Sequence, residues 1–137
     1  MQRVRLVLNK QKDYDDQGTR LVGLNELDTI SDSSCEYLEC EVLDYLGYDD
    51  RSKFLHTAIQ KLRIGCELFI RCLEFGAVYR SLTNNTIGLE HFNQLIYGNG
   101  KRSIDTLKNL ITQVQGPVNI TSAGYNKETY WLRGIRC

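Results

Sequence analysis

Cys35-Glu36-Tyr37-Leu38-Glu39-Cys40 and Cys66-Glu67-Leu68-Phe69-Ile70-Arg71 bracket the stretch whose reading decides the fold. Each is a short run that tolerates an extended backbone, so each reads as a strand. Between them, Val42-Leu43-Asp44-Tyr45-Leu46 leads into a helical pattern in which Phe54, Leu55, Ala58, Ile59 and Leu62 recur on one stripe, facing a sheet. Asp49 or Asp50 is placed to cap that helix, and Gly65, after Lys61-Leu62-Arg63-Ile64, to end it in the left-handed conformation. His56 falls off the stripe and reads as a surface histidine rather than a catalytic base. Strand, helix, glycine-marked turn and strand make a βαβ unit, whose crossover is right-handed. The unit predicts an α/β domain. Leu68-Phe69-Ile70 is near-continuously apolar, which predicts a strand covered on both faces.

Toward the N-terminus, Arg3 to Leu8 alternates charged with apolar residues and reads as a strand with one buried face. Asn9 to Gly18 is a polar loop carrying Asp13, Asp15 and Asp16. It lacks the alternating ligands, central glycine and closing glutamate of a calcium loop, so no metal is expected there. Thr19 to Leu24 is a second apolar run, and Asn25 to Ser34 a polar connection. Toward the C-terminus, Glu74 to Leu82 forms a helix carrying Phe75, Val78, Tyr79 and Leu82, broken by Thr83-Asn84-Asn85. Ile87 to Tyr97 forms another with Phe92, Leu95 and Ile96 inward, ended by the Tyr97-Gly98-Asn99-Gly100 turn. Ser103 is placed to cap a last helix with Ile104, Leu107, Leu110, Ile111 and Val114 on one face, stopped at Gly116-Pro117. Val118 to Ser122 and Thr129 to Ile135 read as two strands pairing antiparallel around the Gly124-Tyr125-Asn126 turn region.

A chain of 137 residues with 42% hydrophobic content fills one core, so residues 1–137 are expected to form a single domain. Lysine plus arginine and aspartate plus glutamate each number 17, and this balance argues against nucleic acid or an anionic membrane surface as partner. Arg71, Arg80, Lys101 and Arg102, with Tyr79 and Tyr97 nearby, are the candidates for a local basic patch; solvated surface side chains are the plainer reading. The five cysteines, Cys35, Cys40, Cys66, Cys72 and Cys137, include no Cys-x-x-Cys pair, and His56 and His91 do not recur at ligand spacing. Zinc is not expected, and free thiols in strands point to a reducing compartment. Met1-Gln2-Arg3-Val4-Arg5 lacks the apolar core of a signal peptide, and no run approaches the ~20 apolar residues of a membrane span. A soluble, non-secreted chain follows, in which the Asn84-Asn85-Thr86 glycosylation triplet is idle.

Taken in order, Leu27-Asp28-Thr29-Ile30-Ser31-Asp32-Ser33-Ser34-Cys35-Glu36-Tyr37-Leu38, Val42-Leu43-Asp44-Tyr45-Leu46 and Leu62-Arg63-Ile64-Gly65-Cys66-Glu67-Leu68 resemble the later half of the class I S-adenosylmethionine-dependent methyltransferases. That family has an acidic, serine-bearing turn before its fourth strand, a helix start after it and a glycine-marked lead into its fifth. Tyr130-Trp131-Leu132-Arg133-Gly134-Ile135-Arg136 looks like the hairpin that closes its sheet. The resemblance covers residues 27 to 137 and implies an abbreviated, Rossmann-like, mostly parallel sheet with a C-terminal antiparallel hairpin.

The chain also departs from the family. The family seats its cofactor on a glycine-rich turn after the first strand, and an acidic residue ending the second takes the ribose hydroxyls; bare backbone is needed at the first of these. Here Val4 to Leu8 runs into Asn9-Lys10-Gln11-Lys12, with no glycine before Gly18. About 25 residues separate the first strand from Cys35, too few for two further βα units. Gly65-Cys66 stands where the family has paired glycines, and Ile64 where it has proline. The shortened layout, together with Asn93-Gln94-Leu95-Ile96-Tyr97-Gly98, is similar to small methyltransferase-like proteins of tailed phages, particularly those of marine cyanobacteria. That likeness implies a virion or assembly component, found in the host cytoplasm during assembly and then in the virion.

The expectation is therefore a non-catalytic, methyltransferase-like structural or interaction subunit. It has no catalytic, cofactor-binding or metal-ligating residue and no cofactor; its partners are copies of itself or virion proteins, in an oligomer or larger assembly. The alternative is an active or cofactor-binding methyltransferase using Glu39, Glu41 and Asp44 at the end of the fourth strand. Against that stands the plain reading of three carboxylates at a helix start, where the dipole favours them. Hydrolase chemistry has less support, with no Gly-x-Ser-x-Gly elbow and no histidine near a cysteine in sequence.

Overall fold

Alternation in the first strand, with Val4 and Leu6 buried while Arg3, Arg5 and Val7 are not, commits one face of a sheet to the core. The computed structural model describes residues 2–137. Its strands are β1 (Gln2–Val7), β2 (Arg20–Gly23), β3 (Cys35–Cys40), β4 (Leu62–Leu73), β5 (Val118–Asn126) and β6 (Thr129–Arg136). They form one sheet in the order β2-β1-β3-β4-β6-β5. The first four are parallel, and β6 lies antiparallel between β4 and β5. Helices α1 (Tyr48–Lys61), α2 (Phe75–Thr83), α3 (Leu89–Tyr97) and α4 (Leu107–Val114) complete the α/β fold. The βαβ unit is present as read: β3, α1 and β4 in succession, with β3 and β4 parallel neighbours. The first strand lies alongside β3, from Gln2 opposite Cys35 to Leu6 opposite Cys40.

The register sorts the sheet's side chains into two faces. Val4, Leu38, Leu68 and Gly134 share one row, and Leu6, Cys40, Ile70 and Leu132 the next. These rows join Leu55, Ala58 and Ile59 of α1 and Leu107, Leu110 and Val114 of α4 in a single hydrophobic core. The opposite face bears Arg3, Tyr37, Glu67 and Ile135, then Arg5, Glu39, Phe69 and Arg133. None of these eight is buried. Phe69 is thus flanked by charge, and the expectation that β4 is covered on both faces is corrected: its apolar run is continuous in sequence but only Leu68 and Ile70 point into the core.

Several local expectations also change. Gly65 does not end α1, which stops at Lys61. It lies in a bulge where β4 spends Arg63-Ile64-Gly65-Cys66 against Glu36 of β3, and its φ of +87° is what the bulge requires. Gly47, not Asp49 or Asp50, precedes α1 as its N-cap; the two aspartates stand in the first turn, where the dipole still favours them. Thr106 caps α4 through the Asn109 amide, and both Ser103 and Ile104 lie ahead of that helix. The α3 helix begins at Leu89 and buries none of its residues; Phe92, Leu95 and Ile96 are half-covered. Gly124, Tyr125 and Asn126 belong to β5, and the hairpin turns at Lys127-Glu128, with Lys127 at φ +56°. Only the short β2, linked to β1 without a helix, and a 3-10 helix after it (Leu24–Thr29) stand where two further βα units would.

Candidate functional site

The chain forms β2 on one side of β1 and then crosses to β3 on the other, so the strand order reverses at the carboxyl ends of β1 and β3. Open α/β sheets bind ligands at such a point. Here the carboxyl ends of β1 and β2 are joined by the protein's own charges. Lys10 Nζ donates to Glu26 Oε2 at 2.8 Å and stands 3.1 Å from Asp13 Oδ1. The Gly23 amide, at the end of β2, donates to Glu26 Oε1 at 3.1 Å. Lys10 first, and then the Gly23 amide, hold the Glu26 carboxyl below the usual carboxylate range. A carboxylate from residue 26 therefore takes the backbone amide at the end of β2.

The second place is the uncovered sheet face, where Arg5, Tyr37, Glu39, Glu41, Phe69, Arg71 and Arg133 line a cleft of about 400 Å³. The strand period of two puts these side chains together from four strands, and their charges pair across the ladder. Arg5 Nε donates to Glu39 Oε2, the Tyr37 hydroxyl donates to Glu39 Oε1 at 3.2 Å, and Asp15 lies 3.8 Å from Arg5. Arg71 meets Glu41 at 2.6 Å and Arg133 meets Glu67 at 2.7 Å. The Arg133 guanidinium lies 4.8 Å from the Phe69 ring centre, and that of Arg3 lies 4.2 Å from Tyr37. Burial, with Glu39 adding to it, pushes the Tyr37 hydroxyl up to about 12. Burial would lower Arg5, but Glu39 outweighs it and the guanidinium rises.

Of the three carboxylates proposed for chemistry, this face brings Glu39 and Glu41 together, each already paired to an arginine. Asp44 is elsewhere, buried beneath the helices. Its Oδ1 accepts from Arg51 at 3.1 Å and its Oδ2 from the Leu73 amide at 3.0 Å, while Arg51 also donates to Ser103 Oγ and the Leu43 carbonyl. Arg51 went unnoticed in the sequence reading. The available signal was its position one turn before Leu55, on the buried stripe, with an acidic residue close upstream. The Tyr130 hydroxyl, also buried, has no hydrogen-bond partner of ordinary geometry among the described residues; the Cys72 side chain faces it across the β4–β6 ladder.

The candidate basic residues are dispersed. Arg71 is on the sheet face, Arg80 on α2, and Lys101 and Arg102 follow α3, with Lys101 donating to the Leu95 carbonyl. Tyr79 stacks on Phe75 and Tyr97 is exposed. In the 9–18 loop, Asp15 accepts from the Gln17 and Thr19 amides, and Lys10 and Lys12 pair with Asp13 and Asp16. Among the described residues no three histidine, cysteine or acidic side chains are grouped to hold a metal. Cys35, Cys40 and Cys72 are buried free thiols, and burial pushes Cys40 up to about 12. No helix among the described residues is long and apolar enough to cross a membrane.

No family model matches the chain. No curated protein matches it either. Solved structures do. A SAM-dependent methyltransferase from Thermotoga maritima aligns over 88% of this chain and 66% of its own, with 13% identity and a TM-score of 0.57. A methyltransferase from Haloferax volcanii, solved in complex with the Trm112 methyltransferase activator, aligns over 98% of this chain and 72% of its own, with 8% identity and a TM-score of 0.64. An S-adenosylmethionine dependent methyltransferase from Mesorhizobium loti aligns over 97% and 79%, with 11% identity and a TM-score of 0.63. The Thermotoga protein is thus matched over less than two thirds of its length. At these identities the likeness concerns the backbone, and the fold of this chain is methyltransferase-like.

Proposed function

We infer that this chain is a non-catalytic, methyltransferase-like subunit, one domain across its length, that works by association with other protein chains. The observation that carries the reading is the first strand running into Asn9-Lys10-Gln11-Lys12 with no glycine before Gly18, where a nucleotide-sized cofactor would need bare backbone, while Glu26, tied to Lys10, takes the Gly23 amide at the end of the second strand. The uncovered sheet face supports it, because parallel sheets are ordinarily covered on both sides. Its aromatic and arginine side chains are those favoured in protein interfaces. The partners are further copies or assembly proteins, and the likeness to small phage proteins makes a virion, built in the host cytoplasm, the context. Calorimetric titration with S-adenosylmethionine tests this: no saturable heat is expected at micromolar ligand, and saturable binding overturns it.

The second reading is a working methyltransferase, favoured by the kinship of fold and by Glu39 and Glu41 meeting in one cleft. On that reading the activator bound to the Haloferax protein has a counterpart that completes this chain. Titration repeated in the presence of a copurifying partner separates the two.

A further inference from the structure

The two edges of the sheet are treated differently. The β2 edge is four residues long and is covered by the loop before it: the Leu21 amide donates to the Asp13 carbonyl at 2.8 Å, and Tyr14 bridges Arg20. The β5 edge is nine residues long, Val118-Asn119-Ile120-Thr121-Ser122-Ala123-Gly124-Tyr125-Asn126, and beyond an isolated bridge from Gln115 to Val118 no other segment among the described residues pairs with its outer side. Natural edges of this length are usually protected by charge. This one carries none. Its protections are Pro117 ahead of it and a bulge between Ile120 and Ser122. Beyond the bulge, Ser122 to Asn126 keeps a regular register with β6, so alternate amide and carbonyl groups of this stretch face outward.

We propose that the Ser122–Asn126 edge pairs antiparallel with the same edge of a second copy, across a two-fold axis at Gly124, to give a continuous twelve-stranded sheet. The proposal rests on the association reading above and gives it a surface and a partner. Three features select a second copy. An uncharged edge meets its own image without opposing like charges. The register about Gly124 places Tyr125, 61% exposed, against Ala123 of the other copy on both sides of the axis, a large side chain beside a small one. At the axis Gly124 has no side chain, and the Trp131 ring already lies over it: a Cβ there would be 3.0 Å from that ring. A five-residue pairing buries less than the ~1,000 Å² of a stable interface, so the dimer is weak and concentration-dependent.

Sedimentation equilibrium from micromolar to millimolar chain tests it with two double variants. In A123K/Y125K each lysine faces a lysine of the second copy, and the dissociation constant is expected to rise about tenfold or more. In A123E/Y125K each glutamate faces a lysine, and association is expected to return and to weaken with salt. Unchanged circular dichroism and melting temperature show that both variants fold. If the wild type associates and A123K/Y125K associates equally well, this edge is not the contact, while the association reading stands. If the wild type stays monomeric throughout, the edge pairing is overturned, and the association reading is left with other proteins as its partners. Loss of association in both variants overturns the antiparallel register.

Discussion

Asp44 and Arg51 are the residues on which the interior depends most. Removing one partner of a buried pair leaves an uncompensated charge, which costs about 3–5 kcal/mol. Burial holds the Asp44 carboxyl above the ordinary carboxylate range, although the Leu73 amide and Arg51 both pull it down. The unfolded chain therefore releases this proton first. Between the ordinary value and the raised one the folded state binds more protons, and stability falls as pH rises through that window before levelling off. Asp44→Asn is expected to remove this dependence, because the amide does not titrate. Denaturant midpoints across the acid range check it: wild-type stability relative to the variant should fall with rising pH and then stay constant. A difference independent of pH would mean that Asp44 titrates alike in both states. Asp44 was visible in the sequence as a carboxylate near a helix start; its burial was not, because that depends on Leu73 and Arg51 arriving from β4 and α1.

At the scale of elements, one side chain ties the starts of α2 and α4, beside the Phe75 amide that donates to the Asp105 carbonyl at 3.0 Å. Glu74 Oε2 accepts from the Ala77 amide at 2.9 Å, in the first turn of α2, and Oε1 from the Leu107 amide at 3.2 Å, the first of α4. Each helix start leaves amides without intrahelical partners, and this carboxylate answers one from each. Glu74→Ala is expected to cost about 1–3 kcal/mol, the sum of two caps. Hydrogen exchange should show the Ala77 and Leu107 amides losing protection together; loss at Ala77 alone would mean that α4 is held by Thr106 without help. The helices themselves were legible in their apolar spacing, but their starts were less so. Ser103 has the chemistry of a cap, yet its hydroxyl donates to the Leu46 carbonyl at 2.7 Å and accepts from Arg51. Thr106, three residues on, does the capping.

For the molecule as a whole, the decisive fact is a mostly parallel sheet with α1 and α4 on one face and paired charges on the other. Ion pairs this exposed contribute about 0–1 kcal/mol each, so they make the face compatible with water more than they stabilise the fold. Trp131, the only tryptophan, is on this face and half-buried. Its fluorescence in the isolated chain should be quenched by acrylamide, and a partner covering the face should shield it and shift emission to the blue. Emission already shielded in the isolated monomer would show that the face has a cover of its own.

Periodicity along the chain determined the βαβ unit through Cys35 and Arg71 and the closing hairpin, because helix and strand repeats are local properties of neighbouring residues. The same reading showed that no glycine follows the first strand before Gly18. What only the tertiary structure decided is which groups meet: Phe69 facing outward among arginines, Glu26 folding back onto the Gly23 amide, Arg51 descending onto Asp44. These contacts join residues far apart in sequence or depend on which face a strand turns to the core. A one-dimensional pattern says that a residue is apolar or charged, and three-dimensional packing says what it touches.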